Sequence, residues 1–395
     1  MRVYLDLVRL PGVVRITASQ LLARFPLGML SLAVLLHVRE LTGSYAVSGL
    51  AVACLSVGQA VAMPVTSRLA GRLGIRRTIA ALTAANAVAL LVLTVTRPGT
   101  PGLLALGLAI GLSVPPLMPV VRALYPRLAP QESVGALFAL DTSAQELIWI
   151  LGPVVATTLA ATVSTAFPLL VAAAVSLVGT AWFLLSRHVG EVRLERNRSP
   201  FGRVLLRPAM RLALAASFGL VASFGALELA LVSRFDESGP LAGIAIAVAS
   251  LGSLVGGIAI GHRRLRRGLL ALILLGMAAA TAAAALTTAL PPFLALMFVA
   301  GLGFAPSLAG LYALVSSALA SSSQGEGESA EAFGWLNTAG TVGGAVGTAV
   351  GGFAGQLVGT LSPVAGAGPF AASTLFVLGA AAVPLLPGFR RAAEA

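Results

Sequence analysis

Apolar stretches long enough to cross a membrane recur along the whole chain, separated by short stretches rich in arginine, glycine or proline. An α-helix needs about 20 apolar residues to cross the hydrocarbon core of a bilayer. Composition agrees, because only 10% of the 395 residues are charged, whereas soluble domains carry about 25%. We therefore predict an all-α, multi-pass membrane protein. The twelve predicted transmembrane helices, called spans 1 to 12, are 16–38, 45–66, 78–96, 102–122, 136–160, 166–186, 209–232, 241–261, 268–289, 292–318, 332–359 and 367–387.

The arginines indicate how the chain is oriented. All 26 basic residues are arginine. With a cytoplasmic N-terminus, 22 of them lie on the cytoplasmic side of the predicted spans, and three, Arg39, Arg97 and Arg234, lie outside. Such an excess follows the positive-inside rule, so we predict that both termini are cytoplasmic. The remaining arginine, Arg24, falls within span 1.

Several function classes are disfavoured by the same sequence. The formal charge is +12, but the arginines form short clusters without interleaved aromatic residues, so no nucleic-acid partner is expected. The three histidines lie far apart, and neither H-E-x-x-H nor G-x-x-x-x-G-K-[ST] occurs. We therefore expect no metal site, no enzyme activity, no ATP-driven transport and no cofactor.

The chain divides into two similar halves. A polar, arginine-rich stretch at 187–208 separates a predicted N-terminal six-helix bundle, 1–186, from a predicted C-terminal one, 209–395. Two matches occur at a shift of 190 residues and a third at a shift of 196: "GRLGIRR" (71–77) with "GHRRLRR" (261–267), "LGLAIGLSVPP" (106–116) with "LMFVAGLGFAP" (296–306), and "LDT" (140–142) with "LNT" (336–338). Two pseudo-symmetric bundles around a midplane site are an architecture of secondary transporters.

The stretch "SRLAGRLGIRRT" (67–78), between spans 2 and 3, resembles a loop pattern of the major facilitator superfamily, and the resemblance extends over essentially the whole chain. Ser67 and Gly71 replace the first Gly and the Asp of that pattern. The resemblance implies that this loop is a cytoplasmic gate latch, although the arginines could instead be ordinary positive-inside charges. Our predicted latch residues are Arg72, Gly74, Arg76 and Arg77 in the loop, and Asp141 facing Arg263, Arg264, Arg266 and Arg267 after span 8.

Span 5 partly resembles the pattern of drug–proton antiporters within this superfamily. Gly152 and Pro153 match, whereas Ala156 and Thr157 replace a glycine pair, and Gly107 stands in span 4 where many such antiporters carry an arginine. Span 11 has glycine at every fourth position, which would form one stripe along the helix and permit close packing, with or without a role in coupling. Its members include Gly343, Gly347 and Gly351.

Ionisable residues inside spans are costly and therefore suggest function. If span 5 enters the membrane near residue 135 and span 1 near residue 13, Glu146 and Arg24 both lie about 16 Å deep, close to the midplane. In the superfamily spans 1 and 5 are adjacent, so we predict an Arg24–Glu146 pair in which the carboxyl binds and releases the coupling proton. The alternative is a static ion pair that only joins two helices. Further candidates for the substrate cavity are Gln20, Gln145, Trp149 and Glu228.

The function expected from these features is secondary active transport by alternating access. We favour proton-driven export of small organic compounds, with uptake of a sugar or other small metabolite as the alternative. A membrane-embedded enzyme and a non-transporting sensor are the rival classes. We expect a monomer in the plasma membrane, specifically a bacterial inner membrane, with lipid, protons and a small-molecule substrate as its partners.

Overall fold

A computed structural model describes residues 7, 9, 10, 12–187, 189, 200–235, 241–260, 267–320, 325–359 and 367–386. Within these residues the chain forms α-helices and two short 3-10 helices, Arg203–Leu206 and Val383–Leu385, and no strand. The α-helices are α1 (Val13–Arg24), α2 (Leu27–Thr42), α3 (Tyr45–Leu73), α4 (Ile75–Val95), α5 (Thr100–Leu112), α6 (Leu117–Leu128), α7 (Gln131–Thr162), α8 (Phe167–Leu184), α9 (Pro208–Arg234), α10 (Leu241–Ile260), α11 (Arg267–Leu286), α12 (Leu290–Gly301), α13 (Phe304–Ala320), α14 (Gly325–Gly359) and α15 (Ala367–Ala382).

Eleven segments of the described chain are long and apolar enough to cross a membrane. Predicted span 11 corresponds to α14, which is long enough at 35 residues. It is less apolar than the others because glycine and threonine occupy many of its positions. The chain is therefore a multi-pass membrane protein, and the count of twelve spans stays a prediction.

Three of these segments are each made of two helices with a break between them: α1 and α2, α5 and α6, and α12 and α13. Pro26 and the pair Pro115–Pro116 lie at the first two breaks, where proline removes a backbone donor and clashes with the preceding turn. The third break is Leu302–Gly303, between the end of α12 and the start of α13.

Contacts divide the chain into two compact units that do not follow the two halves of the sequence. Unit 1 comprises Met1–Ala129, Leu147–Pro200 and Ser323–Thr338, and unit 2 comprises Pro130–Glu146, Phe201–Ser322 and Ala339–Ala395. The division falls within α7, after Glu146, and within α14, after Thr338. Each unit thus includes a helical segment from the other half of the sequence. The predicted bundles at 1–186 and 209–395, with their linker, stay a prediction.

Small residues allow helices to approach closely inside each unit. In unit 1, a Cβ at Gly152 on α7 would lie 2.5 Å from the carbonyl carbon of Gly28 on α2. In unit 2, a Cβ at Gly343 on α14 would lie 2.5 Å from the carbonyl oxygen of Phe218 on α9. Gly347 and Gly351 face α9 in the same way, at Ala222 and Ala226. The stripe of glycines on α14 is therefore the surface that packs on α9.

Candidate functional site

Glu146 is the last residue of the α7 segment that belongs to unit 2. Its side chain is only 6% exposed. The hydroxyl of Ser253, on α10, donates a hydrogen bond of 2.8 Å to Glu146 Oε1. Ser250, one turn earlier on α10, lines the same pocket as Glu146. A serine of one helix thus holds the buried acid of another by a hydrogen bond.

Ser253 also contacts the break between α12 and α13. The backbone N–H of Ala305, in the first turn of α13, donates to Ser253 Oγ at 3.2 Å. The hydroxyl of Thr142 on α7 donates to the carbonyl oxygen of Phe138 at 2.8 Å and lies 3.4 Å from the carbonyl oxygen of Ala305. The amide of Ala305 is connected through Ser253 to the Glu146 carboxyl group.

Glu146 lines a small pocket inside unit 2. Two of the apolar lining residues, Phe224 and Phe304, have ring centroids 5.4 Å apart. Glu146 is the one ionisable residue of the lining, within the part of the chain that the structure describes. The remaining lining residues carry a hydroxyl group or are apolar: Ser223, Ser250, Ser253, Thr281 and Ser373, and Leu227, Ala249, Met277, Ala300, Gly301 and Val377.

Arg24, the predicted partner of Glu146, lies in unit 1 and is 2% exposed. Its guanidinium donates a hydrogen bond of 2.6 Å to Gln20 Oε1, one turn earlier on α1. It lines a different small pocket, together with Asn86 and Ser176. Arg24 belongs to unit 1 and Glu146 to unit 2, and their pairing stays a prediction.

The predicted latch residues fall into two groups. In the loop, Gly74 has φ +93°, a left-handed conformation that favours glycine. The side chains of Arg72, Arg76 and Arg77 are exposed, and Arg76 donates to the carbonyl oxygen of Ser186. Asp141, by contrast, is buried. Its predicted partners Arg263, Arg264 and Arg266, and the side chain of Arg267, lie outside the described residues.

An ion pair that we did not predict joins α3 to α14 in unit 1. Arg68 Nη1 lies 3.2 Å from Glu331 Oε2, and the two side chains are only 8% and 1% exposed. Along the same two helices, Thr338 donates to the carbonyl oxygen of Ala60 at 2.6 Å. A Cβ at Gly334 would lie 2.8 Å from Pro64 Cα. The sequence signal for this contact was the spacing of Glu331, Gly334 and Thr338, which places them on one helical face.

The other substrate-cavity candidates are dispersed. Gln145 is half-buried, Trp149 is 47% exposed and Glu228 is exposed. None of them lines the cavity at Glu146. Among the described residues, no group of His, Cys, Asp or Glu side chains could hold a metal ion. Ser253, which hydrogen-bonds to Glu146, was missed, because serine is common in these helices and nothing in the sequence marks one of them as its partner.

Comparisons with solved structures show which fold this arrangement belongs to. The human organic anion transporter MFSD10 (TETRAN) is similar with a TM-score of 0.70 and 18% identity, over 94% of this chain and 98% of that one. The E. coli fucose:proton symporter FucP has a TM-score of 0.70 and 15% identity, over 93% and 97%. A bacterial homologue of the iron transporter ferroportin, in its outward-facing state, has a TM-score of 0.70 and 15% identity, over 94% and 98%.

Sequence comparison identifies the family. Among curated proteins, no sequence matches this chain significantly. The family model described as Major Facilitator Superfamily matches residues 16–348, which is most of the chain. Together with the all-helical fold and its apolar segments, this match shows that the chain belongs to the major facilitator superfamily and is a membrane transporter.

Proposed function

We propose that this transporter is proton-coupled, that it exports small organic compounds by alternating access, and that Glu146 is the acid that carries the coupling proton. One observation carries the proposal. Glu146 is a buried carboxyl group whose cavity is otherwise lined by hydroxyl and apolar groups. An ionisable group is costly inside a membrane, so it is retained where it moves charge or protons.

The arrangement around Glu146 supports reversible proton exchange. In the structure, the Ser253 hydroxyl of α10 donates a hydrogen bond to the carboxyl group. This bond can be made with either protonation state, because one carboxyl oxygen can accept from Ser253 in both. Movement of the Pro130–Glu146 segment away from α10 would expose the carboxyl group to water, where its proton can exchange. A cycle of enclosure and exposure is what coupling to a proton gradient requires.

Export is favoured over uptake by the chemistry of the cavity. Its polar groups other than Glu146 are hydroxyls of serine and threonine, and its walls include two phenylalanines. Such a lining suits a largely apolar compound better than a sugar, which needs many hydrogen-bond partners. The partial Gly152–Pro153 pattern of drug–proton antiporters agrees with this direction. The similar solved structures transport chemically different cargoes, so they support the fold and do not select a substrate.

The environment that we propose for the protein follows from the same features. We propose a bacterial inner membrane, with the arginine-rich side in the cytoplasm, and a monomer as the transporting unit. The proton gradient across that membrane would supply the energy, and the Arg24–Glu146 pair would form during the cycle.

The proposal is tested with purified protein in proteoliposomes that carry an imposed pH gradient. Amphipathic fluorescent compounds and labelled sugars are the probes. We expect gradient-driven movement of the apolar probes, in the direction opposite to the protons, and its loss in Glu146→Gln. Glutamine keeps the size of the side chain and can still accept from Ser253, so the fold should persist.

The matched control is Glu132→Gln, which changes an exposed glutamate on the same helix. It should transport as the parent protein does. Equal gradient-driven transport by Glu146→Gln and the parent would refute the role of Glu146. Movement of the sugars with the protons, instead of the apolar probes against them, would replace export by uptake.

A further inference from the structure

Ser253 connects the acid of α7 to the break between α12 and α13. We propose that Ser253 is a positioning residue that makes proton exchange at Glu146 depend on the geometry of this break. The inference rests on the proposed role of Glu146 and adds how that role is regulated. The inference is based on which group donates to the Ser253 hydroxyl and which group accepts from it.

A serine hydroxyl has one proton to donate and lone pairs that accept. The proton of Ser253 is directed to Glu146 Oε1, and Ser253 Oγ accepts from the N–H of Ala305. The bonds therefore form a chain in which each donor polarises the next, from the Ala305 amide through the hydroxyl to the carboxyl group. A chain with this direction stabilises the ionised form of the carboxyl group more than the protonated form.

The amide at the start of this chain belongs to the first turn of α13. Amides in a first turn have no acceptor within their own helix, and the start of a helix carries a partial positive charge. The next residue, Pro306, has no N–H group. Ser253 therefore transmits the positive end of α13 to a carboxyl group on a different helix.

The position of Ser253 is set by close packing of α10 on the break itself. A Cβ at Gly252 would lie 3.2 Å from the backbone nitrogen of Leu302, and one at Gly256 would lie 2.9 Å from Leu302 Cα. From the other side, a Cβ at Gly301 would lie 3.1 Å from the backbone nitrogen of Ser253. Because these backbones are in contact, a change at Leu302–Gly303 moves the Ala305 amide relative to Ser253.

The consequence is a coupling between helix geometry and proton exchange. When the Ala305 amide leaves Ser253, the ionised carboxylate loses a polarised donor and takes up a proton from water. Among the cavity's lining residues within the described chain, no other titratable group faces Glu146. On its own helix the nearest acid is Asp141, which lies five positions earlier. The hydrogen-bond chain is therefore the feature through which α13 can act on Glu146.

The test is a titration of the Glu146 carboxyl group by infrared difference spectroscopy in lipid nanodiscs. Its C=O band is identified by its absence in Glu146→Gln. Removing the donor in Ser253→Ala should move the titration midpoint upward by about one pH unit. The shift is upward because the hydrogen bond from Ser253 stabilises the ionised carboxylate more than the protonated form, and one pH unit is a change of about tenfold in proton affinity. Ser253→Thr restores the hydroxyl and should return the midpoint close to that of the parent.

Two further variants isolate the chain. Ser223→Ala removes another hydroxyl of the same cavity, one that donates to the carbonyl oxygen of Leu220, and should leave the midpoint unchanged. Ala305→Pro removes the amide donor and should shift the midpoint in the same direction as Ser253→Ala. The double variant should shift it no further than Ser253→Ala alone, because both changes break one chain.

The outcomes separate this inference from the proposed function. An unchanged midpoint in Ser253→Ala, or additive shifts in the double variant, would overturn the inference even if gradient-driven transport is present. The titration needs no cargo. A shifted midpoint with non-additive variants therefore supports the inference even if transport proves independent of protons.

Discussion

At the scale of single residues, the pair Arg68–Glu331 is the clearest case of two buried charges with a defined geometry. The atoms lie 3.2 Å apart, and both side chains are more than nine-tenths buried. Such a pair adds little net stability compared with a well-packed apolar pair, but removing one partner leaves the other charge buried and uncompensated. Arg68 follows directly after Ser67 in the stretch that resembles the gate loop, so the pair lies beside the predicted latch.

We expect Glu331→Gln to destabilise the protein by about 3–5 kcal/mol, the usual cost of breaking a buried ion pair. Arg68→Gln should cost a similar amount. The double variant Arg68→Gln with Glu331→Gln should lose less stability than the sum of the two single losses, because both changes break the same ion pair. Thermal unfolding in detergent, with Glu132→Gln as an exposed control, measures these differences. Additive losses in the double variant would show that the two charges do not stabilise each other.

At the same scale, the sequence predicted the buried acid but not its surroundings. An ionisable residue in an apolar stretch stands out without any structure, which is why Glu146 and Arg24 could be chosen. Ser253 could not be chosen, since a serine in a membrane helix can satisfy its hydroxyl on its own backbone. Ser19 and Thr66, for example, do this in the present fold. Which hydroxyl group hydrogen-bonds to Glu146 depends on which helix packs beside it in the folded protein.

At the scale of helices, α14 combines two packing surfaces. Its first part, through Thr338, carries the contacts to α3 in unit 1. Its second part carries the glycines that pack on α9 in unit 2. Glycine at every fourth position was visible in the sequence and predicted a packing stripe. The sequence did not show which helix packs there, because a glycine stripe permits a close approach but does not identify the neighbouring helix.

Gly347→Val should destabilise the fold, because the added side chain would occupy the place of the Ala222 carbonyl oxygen. Overpacking of this kind costs about 1–3 kcal/mol. Gly340→Ala is the matched control on the same helix, since a Cβ there would lie 3.5 Å from a methyl group of Val221, at ordinary contact distance. Thermal unfolding of both variants tests the packing. Equal unfolding temperatures for Gly347→Val and the parent would mean that α14 does not approach α9 this closely.

At the scale of the whole molecule, each of the two units contains one helical segment from the opposite half of the sequence. Unit 1 includes Ser323–Thr338 from the second half of the chain, and unit 2 includes Pro130–Glu146 from the first half. Glu146 marks the end of one such segment and Thr338 the end of the other. The charged and polar contacts that we describe at Glu146 and Glu331 therefore involve segments that pack with the opposite half of the sequence.

The distribution of arginine predicts the orientation of the whole protein. On a Cys54→Ser background, single cysteines would be placed at two exposed positions, Thr100 and Gln131. In intact bacterial cells a membrane-impermeant maleimide should label Thr100→Cys and not Gln131→Cys. Both should react after permeabilisation. The reverse pattern would show that the arginine-rich side faces outward and that both termini do as well.

The sequence by itself determined the class of protein, the approximate position of the spans, the expected orientation and the presence of a buried acid near the middle of span 5. These properties follow from the cost of placing each residue in lipid, which depends on local composition. Only the tertiary structure decided that Ser253 links the Ala305 amide to Glu146 by hydrogen bonds and that Arg68 forms an ion pair with Glu331. It also decided that α7 and α14 are each divided between two units. Those features depend on which helices come within a few ångströms of each other, and close approaches between distant segments are not encoded in the hydropathy of any one of them.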